Sequence, residues 1–556
     1  MRSRLLLRQQ LLRDLIRTRS ADTTIRHFSY NSTTFSSRPQ LPFLAIPSRV
    51  SGSHQQWRRI TTERIKHEVG LAMKFTVYIW TIVFFVAVGG FVVQQEWMEH
   101  RYPTPHEWTF RSRWLKRGVD AERFRTDVAI ERWVLYVQML QDVLERLENP
   151  SKDGQGLRDV KDGPPGAKDI SGMSEPWRRG YVEALLLCCQ AAEHVEGYVL
   201  DKTRGIVFPQ DVVRGPSNPF PKPVPPGSES PPREEDCVPS GFPDPDEIYN
   251  KLLATEGLTS KQRIDATLSY ANWLENKGRL APAAVMYEGA LNLAIEEIHT
   301  PGAPFLLDPK TAVLNSKAEK KPSENLLTSL TALATFKARH EDVSAALPIL
   351  ISILQARRNL PSKTKAADYE FQFHQPPNKS AFQKILAFIK PPDYPPPPPD
   401  GTAPPVRDSK ELCEEAALHL HIGEIMYTLQ SSTKEDGLAW TREGVDLAEE
   451  ELHKVLEQDR EDRVTKKVCR DCLASGLSNW RTMVARMAKQ EDEAKAGGKK
   501  PSAGWFGLWS GNNVEEEGGR WAAEEKVVAE RTRRAQDLLE DLQKPRSAFL
   551  SGLVRA

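Results

Sequence analysis

The chain has 556 residues, and its 76 lysine and arginine residues nearly balance its 75 aspartate and glutamate residues. A nucleic-acid-binding protein normally carries a strongly basic domain or stripe, so no nucleic-acid partner is expected. Six cysteines scattered along the chain are too few for a fold built on disulfides.

Residues 1–60 have the composition of a mitochondrial presequence. They contain eleven arginines and no lysine, and their acidic residues are Asp14 and Asp22 alone. Leucines recur at near-helical spacing between the first arginines, so a helix here would be cationic and amphipathic. We therefore expect a mitochondrial targeting segment, with a disordered basic tail as the alternative.

Nineteen residues without a charge, Phe75 to Val93, predict a transmembrane helix over 75–95. Basic residues precede this run in the segment 61–74, whereas Glu96 and Glu99 follow it. Positive charge marks the inner side of a membrane, so 61–74 is expected on the matrix side of the mitochondrial inner membrane. The C-terminal domain would then lie in the intermembrane space. The alternative is a buried core helix.

The rest of the chain shows helical periodicity and almost no strand-like alternation, so an all-α fold is expected. We divide it into a juxtamembrane helical region with a proline-rich loop, 100–243, and a repeat domain, 244–556. The predicted helices are 120–148, 175–201, 245–257, 260–277, 280–298, 324–340, 342–358, 378–390, 408–430, 435–457, 461–490 and 515–542. Proline-rich stretches at 149–173, 209–243 and 391–406 are expected to project as loops, and Pro395–Pro399 is interpreted as a spacer with a PxxP-type ligand as the alternative.

The segment from Tyr270 to Leu291 resembles a tetratricopeptide repeat, in which two antiparallel helices pack closely. Small residues at the helix contacts, a turn glycine and one aromatic residue have the expected spacing: Ala271, Gly278, Ala283, Tyr287 and Ala290. Less complete copies place Ala334 and Ala346, then Gly423 and Gly437, at corresponding positions, and a fourth pairs the segment before Trp480 with helix 515–542.

Stacked helix pairs of this kind bury a common core and leave a concave surface that suits extended peptides or partner helices. The expected architecture is therefore all-α: a single N-terminal transmembrane helix followed by a tetratricopeptide-like α-solenoid with proline-rich loop insertions.

No phosphate-binding loop, zinc-peptidase motif or serine-hydrolase motif occurs in the sequence. Cys469 and Cys472 have zinc-ligand spacing, and His421 and Glu424 share a helix face, but neither pair has further ligands near it. Cys469 and Cys472 are therefore expected to pack in the protein interior, and His421 and Glu424 to be surface or partly buried groups. We predict no enzyme, no catalytic residue, no cofactor and no metal site.

Three aromatic residues, Trp505, Phe506 and Trp509, stand between glycines in a polar insertion. Large apolar side chains in such a loop need a surface to cover them. They are candidates for contact with a partner or with the membrane, and packing against the solenoid itself is the alternative.

The chain is similar to the fungal tetratricopeptide-repeat adaptor subunit of the mitochondrial i-AAA protease supercomplex. The resemblance rests on the order of presequence, anchor and repeats, and on three segments: EHRYPTPHEWTFRSRWLKRG from Glu99, the repeat from Tyr270, and GLAWTREGVDLAEEEL from Gly437. It implies a non-catalytic adaptor of the inner membrane. Its partners would be the i-AAA protease, the other adaptor subunit, and unfolded or misassembled membrane proteins that it helps to deliver for degradation.

Three other classes remain open. A mitochondrial import receptor of the outer membrane also joins an anchor to tetratricopeptide repeats, but usually begins with the anchor and lacks a long presequence. A respiratory-chain assembly factor has the same topology. A membrane-anchored enzyme would need a buried cluster of ionisable residues, which a sequence does not show.

Overall fold

The computed structural model describes residues 62–123, 132–161, 163–224, 229–298, 306–308, 310–315, 321–340, 343–361, 394–429, 433–457, 463–498 and 519–541. The presequence, the predicted helix 378–390 and the aromatic residues Trp505, Phe506 and Trp509 lie outside these ranges. The chain divides into two compact units, residues 1–87 and 88–556.

The described residues are mostly helical, and few of them are in strands. The thirteen α-helices that they contain are α1 Thr62–Arg101, α2 Phe110–Arg123, α3 Trp133–Glu148, α4 Glu175–Val195, α5 Pro245–Leu253, α6 Ser260–Asn276, α7 Leu280–Ile298, α8 Glu324–His340, α9 Val343–Arg358, α10 Ser409–Thr428, α11 Lys434–Glu457, α12 Arg463–Gly498 and α13 Arg520–Asp541. The strands are β1 Arg158–Asp159, β2 Lys168–Asp169, β3 Val199–Asp201, β4 Ile206–Phe208 and β5 Cys237–Pro239.

Helix α1 contains the predicted transmembrane segment. Between Lys66 and Arg101 its most apolar window has a mean hydropathy of 2.2, and no part of that window is buried. The hydroxyl groups of Thr76 and Thr81 donate to the carbonyls of Ala72 and Val77, so these polar groups are satisfied within the helix. By length and composition, α1 is a candidate for crossing a membrane.

The juxtamembrane region differs from its predicted helices at two places. The single helix expected over 120–148 is instead α2 and α3, and α2 was missed because its sequence is rich in charge. The helix expected to reach residue 201 ends at Val195, because Gly197 adopts φ +74° and turns the chain into β3.

Short strands fold the chain back onto α4. Strands β1 and β2 pair antiparallel, and β3 lies between β4 and β5 in a second antiparallel sheet. Val199 is opposite both Phe208 and Pro239. The proline-rich stretch 209–243 therefore contributes a strand to this sheet and does not simply project from the helical body.

The stretch Tyr394–Asp400 is also attached to the body. Arg179 of α4 donates to the carbonyl oxygens of Pro396 at 2.9 Å and Pro395 at 2.6 Å, and its guanidinium lies 4.3 Å from the centre of the Tyr394 ring. The expectation of a projecting loop is wrong here, because one arginine satisfies the exposed proline carbonyls.

From α6 onward the helices pack in pairs: α6 with α7, α8 with α9, α10 with α11, and α12 with α13. Each pair also contacts the next through its second helix. A capping box formed by Thr259 and Gln262 starts α6, and Gly278 at φ +72° makes the turn into α7. One apolar cluster runs from Trp108 to Ile425, and a second joins α10 through α13.

A disulfide joins Cys413 of α10 to Cys469 of α12, two residues separated by 56 positions in sequence. Cys472, also on α12, is buried and unbonded. Cys469 is buried, as expected, but it also forms a covalent crosslink between two helices, which the sequence analysis did not predict. Its sulfur is not available for the zinc site that its spacing from Cys472 suggested.

Candidate functional site

A cavity of about 830 Å³ lies between α8 and α10, and residues of α9 complete its lining. These three helices belong to two consecutive helix pairs. The first helices of the two pairs form opposite walls, while the second helix of the first pair contributes Val343, Leu350 and Arg357.

The α8 wall carries a stripe of threonines, Thr328, Thr331 and Thr335, at helical spacing. Each hydroxyl donates to a carbonyl of its own helix, at 2.9, 2.7 and 2.8 Å respectively. Because the hydroxyl groups are satisfied in this way, the methyl groups are left to contact a bound molecule. The middle of this wall, between Glu324 and Arg339, is therefore uncharged and lined by short side chains.

Glu324, at the start of α8, is held by two lysines from different helices. Lys261 of α6 and Lys410 of α10 each lie 3.1 Å from its carboxylate. Burial is the largest influence and acts to raise the pKa of Glu324, but the combined attraction of the two lysines lowers it below the ordinary value. Glu324 is thus ionised at neutral pH and links the α6, α8 and α10 helices.

A second ion pair, between Arg357 of α9 and Glu411 of α10, is almost fully buried. Burial raises the pKa of Glu411, and the neighbouring Arg357 opposes that shift. Within the part of the chain that the structure describes, the Nε atom of Arg357 has no hydrogen-bond partner. This atom is shielded from solvent, so the donor belongs to the interior ion pair and not to the surface of the cavity.

The remaining charged groups of the cavity are mainly acidic. Arg339 is paired with Glu275 at 3.0 Å. Among the described residues, Glu424 of α10 forms no ion pair, whereas Glu414 is attracted by the neighbouring Lys410. Burial, followed by the nearby Arg339, lowers the pKa of His421, which is therefore neutral at neutral pH. The cavity thus offers two carboxylates, of which that of Glu424 is uncompensated among the described residues.

The structure brings His421 and Glu424 to the same cavity, as their shared helix face indicated. No cluster of three or more metal-ligating side chains is found in the described ranges. This arrangement is suited to binding: the threonine methyl groups and the carboxylates of Glu414 and Glu424 fit an extended polypeptide that carries basic side chains.

The residues predicted to pack the repeats lie outside this lining, within the helix pairs. Those that are completely buried are Ala271, Ala283, Ala290, Ala334 and Ala346. Tyr287 is also buried and donates to Glu275 at 2.8 Å. Gly423 and Gly437 meet where α10 crosses α11: a Cβ atom on Gly437 would lie 2.6 Å from the Gly423 carbonyl oxygen.

Sequence reasoning did not identify the cavity residues, apart from His421 and Glu424. The threonines at 328, 331 and 335 recur along one helix face and could have indicated one wall of a cavity. The opposite wall comes from residues about eighty positions later in the sequence.

Comparison with protein-family models, curated proteins and solved structures gives no match.

Proposed function

We propose that the protein is a non-catalytic adaptor anchored in the mitochondrial inner membrane, which binds unfolded or misassembled membrane proteins and assists their delivery to the i-AAA protease. Helices α6 to α13 would form a tetratricopeptide-like α-solenoid with proline-rich insertions. The observation that carries the proposal is the cavity between the first helices of two consecutive helix pairs, in a chain whose described residues include one exposed apolar helix.

The cavity supports polypeptide binding through two features. The threonine methyl groups of α8 and the apolar residues of α9 accept side chains of varied shape. The carboxylates of Glu414 and Glu424 attract basic side chains. None of these contacts requires one particular sequence, which is what an adaptor for many substrates needs.

Two observations support a location in the intermembrane space. The basic residues that precede the apolar run of α1 favour a matrix-side N-terminus. The Cys413–Cys469 disulfide favours an oxidising compartment for the helix pairs, because reducing compartments keep thiols reduced.

The test is affinity purification of the full-length protein from detergent-solubilised mitochondria, comparing wild type with the double variant Glu414→Lys, Glu424→Lys. Wild type should recover the protease, the other adaptor subunit and incompletely assembled membrane proteins. The variant should keep the protease but recover about tenfold less of the client proteins, the effect expected from losing about 1.4 kcal/mol of binding free energy.

A matched control is Glu235→Lys, Glu247→Lys, which makes the same change in charge on exposed residues away from the cavity. It should recover clients at the wild-type level. If wild type recovers no protease, the assignment to the i-AAA complex is wrong. If both double variants recover clients equally well, the cavity is not the binding site.

The location is tested separately by protease protection. Digestion of residues 100–556 should require rupture of the outer mitochondrial membrane. Digestion in intact mitochondria would contradict the proposal and favour an import receptor facing the cytosol.

A further inference from the structure

The first turns of α2 present large apolar side chains to the outside. Phe110 is 56% exposed and Trp114, one turn later on the same face, is 46% exposed. Arg111, between them in sequence, is exposed as well. We call these three residues the α2 outer face.

The inner side of α2 buries charged as well as apolar residues. Lys116, Arg117 and Asp120 are each less than one-tenth exposed, and Val119 is completely buried. A helix on the surface of a water-soluble domain normally keeps its large apolar side chains inside and its charges outside. The pattern of α2 therefore requires an explanation in terms of what its outer face meets.

Specific contacts fix the rotation of α2. Lys116 Nζ lies 3.3 Å from the carboxylate of Glu183 on α4, and Arg117 is paired with the buried Glu99 at the end of α1. Arg113 lies 2.9 Å from the same Glu99 carboxylate, and Ser112 donates to Asp153 at 2.6 Å. Turning Phe110 and Trp114 inward would break all of these contacts to other elements, so the outer face is a stable feature of the fold.

The position of the α2 outer face relative to α1 indicates what covers it. The ring of Phe110 lies 6.3 Å from the ring of Phe91, edge to face. Phe91 belongs to the uncharged run Phe75–Val93, whose length matches the hydrocarbon core of a bilayer. Phe110 thus lies at the level of the last turn of that run.

Residues that favour the headgroup region lie close by. Trp97 of α1 is exposed, and the guanidinium of Arg101 lies 5.7 Å from the centre of its ring. Tryptophan and arginine are typical of membrane interfaces, where an apolar stem enters the lipid and a polar end stays in water. Trp114 and Arg111 supply the same chemistry on α2.

We propose that the α2 outer face lies in the bilayer interface of the membrane that α1 crosses. Phe110 reaches the acyl chains beside Phe91, while Trp114 and Arg111 lie among the headgroups. The ligand is therefore lipid, and α2 forms a second contact with the membrane in addition to the spanning helix.

The experiment uses the full-length protein in phospholipid vesicles, with a nitroxide label at Phe110→Cys, Trp114→Cys or Arg111→Cys in a Cys237→Ser background. The other unbonded cysteines in the described ranges are buried. Collision rates of the label with oxygen, which enters lipid, and with a nickel chelate, which stays in water, are measured by electron paramagnetic resonance. Val92→Cys in α1 gives the lipid reference, and Phe220→Cys, on a loop where Phe220 is 90% exposed, gives the aqueous reference.

The ratio of oxygen to nickel collision rates at 110 should be several-fold higher than at 220 and close to that at 92, with intermediate ratios at 114 and 111. A ratio at 110 and 114 equal to that at 220 would place the outer face in water and overturn the proposal. Protection of both positions from both reagents would also overturn it, because the face would then be covered by protein, either a second copy or another partner.

Discussion

Two helix contacts of the molecule are of different kinds. Where α1 meets α2, the long side chains of Glu99 and Arg117 form a buried ion pair. Where α10 meets α11, the two helices approach closely at Gly423 and Gly437. The two contacts should therefore fail under opposite changes: the first when a charged group is removed, the second when a methyl group is added.

The largest effect is expected from Glu99→Gln. This change leaves Arg117, whose side chain is 4% exposed, without its negative partner. An unpaired buried charge typically lowers the free energy of unfolding by about 3–5 kcal/mol. Urea unfolding of the full-length protein in detergent, followed by circular dichroism, measures the loss.

The double variant Glu99→Leu, Arg117→Met is the control for that experiment. It replaces both charges of the buried pair with apolar groups and leaves only the less buried Arg113 without its partner, so the loss should be clearly smaller than in the single variant. If the double variant is as unstable as Glu99→Gln, the contact contributes through its shape and not through its charge.

A somewhat smaller effect is expected from Cys413→Ser in the helix-pair region. The disulfide closes a loop of 56 residues, and loss of such a crosslink lowers the free energy of unfolding by about 4 kcal/mol in the chain-entropy model. Cys472→Ser, at a buried but unbonded position on α12, should cost much less. Reductant should destabilise wild type and leave Cys413→Ser unchanged; equal sensitivity of both proteins would contradict the crosslink.

Replacing a glycine by alanine adds one methyl group, which should lower stability at a close helix contact and not on open helix surface. A Cβ atom at Gly437 would lie 2.5 Å from the backbone nitrogen of Tyr427, so Gly437→Ala should lower stability by about 1–3 kcal/mol. Gly289 on α7 has no neighbouring atom within 4 Å of such a Cβ atom, so Gly289→Ala should raise stability by up to about 1 kcal/mol. Thermal unfolding measures whether stability falls or rises in each variant. A loss of stability in both variants would show that the loss at Gly437 does not come from the close helix contact.

The same contrast explains which parts of the fold the sequence predicts. Helices α6 to α11 follow periodic apolar patterns and begin or end at local signals such as Thr259 and Gly278, so their bounds agree with the prediction within a few residues. Helix α2 has no such pattern, because its buried residues include Lys116 and Arg117. Burial of charge depends on partners such as Glu99 and Glu183, which only the folded chain brings near.

The cavity was less predictable than the helices that form it. His421 and Glu424 could be placed on one face, but the opposite wall comes from α8 and the ion pair of Arg357 with Glu411 joins residues 54 positions apart. The Cys413–Cys469 pairing has the same character, since spacing alone directed attention to Cys472. Contacts between helix pairs depend on how the pairs stack. The periodic pattern of apolar residues within one helix does not show how neighbouring pairs stack.

The smallest effect that we predict is a pH dependence from the cavity. Burial, and then Arg339, holds the pKa of His421 below its ordinary value of 6.5. The unfolded chain therefore binds a proton at His421 more readily than the folded chain does. The contribution of His421 to the free energy of unfolding is complete above pH 6.5 and is lost as the pH falls toward the pKa of the folded state. The pKa of His419 on the same helix is also lowered, by burial, and Glu443, Glu415 and Arg358 surround it, so His421→Gln should remove only part of the effect. Urea midpoints at about pH 7.5 and about pH 5.5 should fall less in the variant than in wild type. An equal fall in the two proteins would show that His421 is not the group that titrates.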